Sequence, residues 1–202
     1  MVRLLRFAAV LALGGFAAAG LSACSDAGAE GEVVSPSVSV VASPPPPSVT
    51  PSPSVTPEEE LLARIPEEAR YESFPSAVEF SIFFITEWDA MYRTQDTELV
   101  ELLSAESCGF CESSLREVQA ILADGHDFTG EPVVFAATEP RGGLDNEGHM
   151  NVTIDIALSA STITDRNGEI VAQYGEEQIT TALLLTFSET GWRVLDVASE
   201  PR

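Results

Sequence analysis

The residues best equipped for chemistry are few. Cys108 and Cys111 sit in Ser107-Cys108-Gly109-Phe110-Cys111, directly ahead of a helical pattern. That spacing suits three chemistries. A bridge between the sulfurs would staple the turn. A pair at a helix N-terminus, where thiolate is stabilised, would exchange disulfides. A pair could also supply half of a zinc site. The redox reading wants a strand before the motif and a βαβ surround, whereas a helical pattern precedes it here. The zinc reading wants a second Cys/His pair at finger spacing, which the chain lacks. His126 and His149 are the only histidines, and neither falls in a ligand spacing such as H-E-x-x-H. His126 lies in the turn-like Asp124-Gly125-His126-Asp127. His149 opens a strand pattern and is a candidate pocket base beside Asp155. Alternation, however, sets Asp155 opposite Ile154 and Ile156, so it is expected to face water.

Other oxygen-rich or glycine-rich stretches carry weaker signals. Asp145-Asn146-Glu147-Gly148 lacks calcium-loop spacing and reads as a solvated turn. Arg141-Gly142-Gly143 reads as a flexible loop, since no helix follows to complete a phosphate cradle. No G-x-S-x-G, Walker A or dinucleotide fingerprint occurs. No cofactor or metal is expected, and no catalysis.

The composition narrows the partners. The 202 residues carry 10 basic and 32 acidic side chains, a net charge of −22, and every basic residue is Arg. No basic stripe exists to neutralise phosphates, so nucleic acid is excluded as a partner.

Three segments follow one another. Residues 1–23 open with Arg3 and Arg6, continue as an apolar Ala/Gly-rich run and close on Leu21-Ser22-Ala23 before Cys24, the layout of an export signal. Residues 24–57 hold eight of the 13 prolines, interleaved with Ser, Thr and Val, and no apolar periodicity. Such a stretch cannot build a core and is expected to act as an extended, disordered tether. Residues 58–202 are of ordinary size for one folded domain.

Within 58–202 helical patterns come first. Glu58 to Ile65 is a short lead-in ended by Pro66. After Pro75, Ala77, Phe80, Phe84, Trp88 and Met91 recur on one helix face. This aromatic stripe is either core or the wall of a pocket for an apolar ligand. Thr97 to Leu103 is a further turn of helix. The next helix carries Leu115, Val118 and Leu122 inward and ends at Asp124-Gly125. The period then changes to two. Pro132 to Thr138, Met150 to Leu158, Ile170 to Tyr174, Gln178 to Phe187 and Trp192 to Val197 read as strands, with Asn167-Gly168 as a hairpin turn. The expectation is an α+β domain, helices packed on one face of a curved antiparallel meander of about four strands.

Two resemblances accompany these residues. Leu21-Ser22-Ala23-Cys24 resembles the lipobox of bacterial lipoproteins. It implies cleavage before Cys24, a lipid on its thiol, and residence on the outer face of the cytoplasmic membrane. Two acyl chains would give stable anchoring. With Cys24 so used, Cys108 and Cys111 remain as an even pair in a compartment that permits a disulfide. From Ser76 to Ala198 the element order resembles the NTF2-like cone. The whole layout resembles an uncharacterised family of actinobacterial lipoproteins, on Ile65-Pro66-Glu67-Glu68-Ala69, the helix from Phe80 to Tyr92, and the Cys108–Cys111 turn.

Together these point to a lipid-anchored extracytoplasmic binding module whose partner is an envelope protein or a small apolar ligand. Phe80, Phe84, Trp88 and His149 are its candidate pocket residues. The alternatives are an NTF2-like pocket enzyme and a thiol–disulfide redox protein using Cys108 and Cys111.

Overall fold

The computed structural model describes residues 56–202. The signal, Cys24 and the tether as far as residue 55 therefore lie outside the described residues, while Thr56 and Pro57, expected as the end of the tether, open the first helix. Helix α1 (Pro57–Ala63) starts with a capping box: Thr56 caps the Glu59 N–H, and the Glu59 carboxylate accepts from the Thr56 N–H. A single 3-10 turn (Glu67–Ala69) leads to α2 (Phe74–Thr94), capped by the Ser73 hydroxyl with Pro75 in its first turn. Helix α2 ends where Gln95 takes a left-handed conformation, and its side chain donates to the His126 carbonyl at 2.9 Å. Helices α3 (Glu98–Leu103) and α4 (Gly109–Asp124) follow, and Gly125 terminates α4 at φ 66°.

Eight strands complete the domain: β1 (Asp127–Gly130), β2 (Val134–Phe135), β3 (Arg141–Leu144), β4 (Met150–Leu158), β5 (Ser161–Thr164), β6 (Ile170–Tyr174), β7 (Glu177–Ser188) and β8 (Gly191–Pro201). They form two antiparallel sheets. In the larger, β2 and β3 both pair with β4, which continues to β7 and β8; the smaller runs β1-β5-β6. The expected α+β order holds, with helices packed against antiparallel sheets. The strand count does not. Strands β1, β3 and β5 read Asp-Phe-Thr-Gly, Arg-Gly-Gly-Leu and Ser-Thr-Ile-Thr, short segments that pair because a neighbour offers a ladder, not because their own pattern demands it. The loop expected at Arg141-Gly142-Gly143 is thus part of β3. Gly142 is needed there: at φ 145° its missing Cβ would fall 1.9 Å from the Asn151 carbonyl oxygen. The strand expected over Pro132 to Thr138 shortens to two residues; ahead of it the Val133 N–H goes to Asp89 instead of a ladder.

One feature organises the two sheets. Strand β4 pairs with β7 up to Leu158 opposite Glu177, and β5 pairs with β6 from Ser161 opposite Tyr174. The register runs on unchanged across the gap. The two sheets therefore share one long hairpin, interrupted at Ser159-Ala160 and Gly175-Glu176 and closed by Asp165 to Glu169, where the Asp165 carboxylate accepts from the Asn167 and Glu169 N–H groups.

The core lies between α2 and the larger sheet. Ala77, Phe80, Phe84 and Met91 meet Val152, Leu183, Leu185 and Val194, all at most 1% exposed. Burying each large side chain contributes about 1.5–3 kcal/mol. Helix α4 turns Cys111, Ser114, Val118 and Ile121 inward. Leu122, expected inward, is 55% exposed. The same 3-4 spacing defines two adjacent stripes on a helix, and packing chose the one through Ile121.

Candidate functional site

Where the long hairpin breaks between the sheets, α2 and α4 lie beside it and a cleft of about 190 Å³ remains. Helix α2 contributes Trp88, Asp89 and Tyr92, α4 contributes Glu117, and β1 contributes Phe128. The broken hairpin supplies Leu158, Ile163, Tyr174 and Glu177. The aromatic wall is continuous: Tyr92 lies 5.7 Å from Trp88 and 5.4 Å from Phe128, centroid to centroid. Trp88 is held from behind. Its indole N–H donates to the Ser114 hydroxyl at 3.0 Å, and Phe110 packs on it at 5.5 Å.

The polar side of the cleft centres on Glu117. Its two carboxylate oxygens accept hydrogen bonds from the Tyr92 and Tyr174 hydroxyls, at 3.0 and 3.3 Å. Burial raises the Tyr92 pKa well above that of free tyrosine, and the negative charge of Glu117 adds to it. The same two causes, in the same order, raise that of Tyr174. Asp89 is matched by Arg93 at 2.7 Å and by the Val133 N–H. Glu117, Glu131 and Glu177 have no basic partner within ion-pair distance among the described residues.

The cysteines stand next to this wall. Cys108 and Cys111 are joined by a disulfide and each is 1% exposed. Cys108 caps α4, its sulfur accepting from the Cys111 N–H. The bridged turn places Phe110 against Trp88, so the staple reaches the cleft through one aromatic contact. An attacking thiolate needs access to a sulfur, and burial denies it without local opening.

The remaining candidates separate. Phe84 is deep core, while Phe80 borders a groove of about 410 Å³ beneath α1 with Ile65, Arg70 and Trp192. Among Phe80, Phe84, Trp88 and His149, only Trp88 lines the aromatic cleft. His149 sits in the β3–β4 turn, its Nδ1 3.7 Å from carboxylate oxygens of both Asp145 and Glu147. It does not pair with Asp155. Nor does Asp155 face water: it is 4% exposed on the outer side of the larger sheet. The Thr180 and Thr138 hydroxyls donate to it at 2.7 and 3.0 Å, and Arg202 and Arg141 lie 3.3 and 4.0 Å away. The Thr180 hydrogen bond, then that of Thr138 and the two arginines, hold its pKa below the ordinary carboxylate value against the cost of burial. Strand parity assigned the right side; the covering chain then removed the water.

The family model described as "Family of unknown function (DUF6318)" matches residues 64–198. The chain belongs to the DUF6318 family. The match spans the disulfide and every cleft residue, so the cleft is contained in the DUF6318 domain itself. No curated protein matches the chain in sequence.

Several solved structures are similar to part of this chain. An NTF2-like superfamily protein from Salmonella enterica serovar Typhimurium is 15% identical, with a TM-score of 0.40 over 62% of this chain and 92% of that one. A putative dehydratase of the NTF2-like family from Streptomyces avermitilis is 15% identical, with a TM-score of 0.40 over 62% and 96%. The intermembrane space region of the chloroplast protein ARC6 is 10% identical, with a TM-score of 0.45 over 61% and 95%. These likenesses concern architecture alone.

Sequence reasoning found Trp88 as part of a stripe but missed Tyr92, Phe128, Glu117 and Tyr174 as its companions. Tyr92 follows Trp88 by one helical turn on α2, a spacing open to local reading. Phe128, Glu117 and Tyr174 lie on β1, α4 and β6, and no local spacing links them to it; the loss of alternation at Ser159-Ala160 marks only the break that opens the cleft.

Proposed function

We propose that this protein is exported, anchored through lipid on Cys24 at the outer face of the bacterial cytoplasmic membrane, and presents a DUF6318 binding module on a proline-rich tether. The ligand site is the cleft between α2, α4 and the smaller sheet. The observation that carries this reading is the aromatic wall of Trp88, Tyr92 and Phe128, braced from behind by Ser114 and Phe110 yet open toward solvent. Rings held in place beside an open cavity are what a small-ligand site requires. The lipobox and the tether composition support the anchoring, since the acidic chain has no electrostatic route to an anionic membrane.

A photo-crosslinking side chain at Ser161, inside the cleft, tests the site in cells, with the same side chain at the exposed Asn167 in the β5–β6 turn as control. Adducts of small-molecule mass at Ser161 but not at Asn167 are expected. Equal labelling at both positions, or none at Ser161, would refute the cleft as the ligand site. Loss of lipid labelling in Cys24→Ala tests the anchor independently.

A further inference from the structure

We propose that the cleft selects a small organic cation, an ammonium group carried on a short apolar body. This rests on the reading of the cleft as a ligand site and adds its chemistry. Four aromatic residues, Trp88, Tyr92, Phe128 and Tyr174, line one cavity from α2, β1 and β6. Aromatic rings attract a cation placed over their faces, most strongly where water is displaced. The same cavity is edged by Glu117, Glu131 and Glu177, none of which has a basic partner among the described residues. No arginine or histidine lines it. An anion would meet these carboxylates at close range. A neutral apolar ligand would use the rings and leave the charge unmatched. A cation uses both.

Size and geometry narrow the class. A cavity of about 190 Å³ is below the usual ~300–1,000 Å³ of sites for drug-sized ligands. It is closer to an engineered void of ~150 Å³ that takes a single benzene. One ammonium head with a few carbons matches that scale. A metal ion does not: among the described residues no three acidic, histidine or cysteine side chains converge to hold one. Glu117 is already braced by the Tyr92 and Tyr174 hydroxyls, so its charge is positioned before any ligand arrives and little side-chain freedom remains to be lost.

The test titrates the full chain, in detergent micelles, with choline and with its neutral isostere 3,3-dimethylbutan-1-ol, read by calorimetry and tryptophan fluorescence. Choline is expected to bind at least about tenfold tighter than the isostere, the order of a cation–π contribution in a partly desolvated site. Glu117→Gln should weaken choline several-fold and leave the isostere unchanged. Trp88→Leu should abolish binding of choline, with circular dichroism verifying that the variant is folded. If the two probes bind equally, the cleft is apolar without charge selection: this inference fails and the ligand-site reading stands. If neither binds at millimolar concentration, the inference also fails, while crosslinking at Ser161 decides the ligand-site reading on its own. Choline binding that survives Glu117→Gln and Trp88→Leu unchanged would place it elsewhere and overturn the inference.

Discussion

The two halves of the long hairpin share one register but live in different surroundings. At the β4–β7 end, Val152, Leu183 and Leu185 are fully buried beneath α2. At the β5–β6 end only Ile163 is buried, while Ile170, Val171 and Tyr174 are 63%, 54% and 44% exposed. Backbone pairing is similar in both. The difference is what covers the face, and it locates the stability at one end and the cleft at the other. Binding sites draw on the less constrained parts of a fold.

Core truncation should separate the two ends most strongly. Phe84→Ala, under the larger sheet, is expected to cost about 3–5 kcal/mol in urea unfolding. A cost near zero would mean that α2 does not anchor that sheet. Next in size is the staple. Replacing Cys108 and Cys111 together by Ser closes no loop in the unfolded chain and should lower stability by about 2 kcal/mol, the scale for so short a loop. Because Phe110 leans on Trp88, tryptophan emission should also shift in that variant; an unchanged spectrum would uncouple the staple from the cleft.

Asp155 and Tyr92, one in the larger sheet and one at the cleft, should also titrate from opposite sides. Asp155, in the larger sheet, has a folded pKa below its unfolded value near 3.8. Its contribution is therefore present above that value and lost as pH falls through the folded pKa. Tyr92, at the cleft, has a folded pKa raised above its unfolded value of 10.0. Its contribution is full below pH 10 and is lost as pH rises further, when the unfolded chain ionises first. Melting temperature against pH should thus fall less steeply in acid for Asp155→Asn and less steeply in alkali for Tyr92→Phe. Matching profiles for the two variants would contradict the division. The smallest effect is expected at the exposed tip: Val171→Thr should change stability by no more than about 0.5 kcal/mol. A larger loss would show that the tip is covered in solution by a partner or a second copy.

Much of this was legible in the residues. The α2 stripe, the end of α4 at Gly125, and the Asn167-Gly168 turn follow from local rules of period and capping. Those rules also set the parity of β4 and β7. They act over a few residues, and the sequence displays them in order.

The tertiary structure decided what those rules cannot reach. It separated Phe84, which went to the core, from Trp88, which lines the cleft, although both lie on one stripe of one helix. It buried Asp155 under Thr138, Arg141 and Arg202, and left His149 beside Asp145 and Glu147. It bent one hairpin into two sheets and so brought Tyr92, Glu117 and Tyr174 together. Periodicity specifies which face of an element is apolar. Which residues of other elements meet that face depends on where the chain turns and how the layers pack, and that is settled only when the whole domain closes on its core.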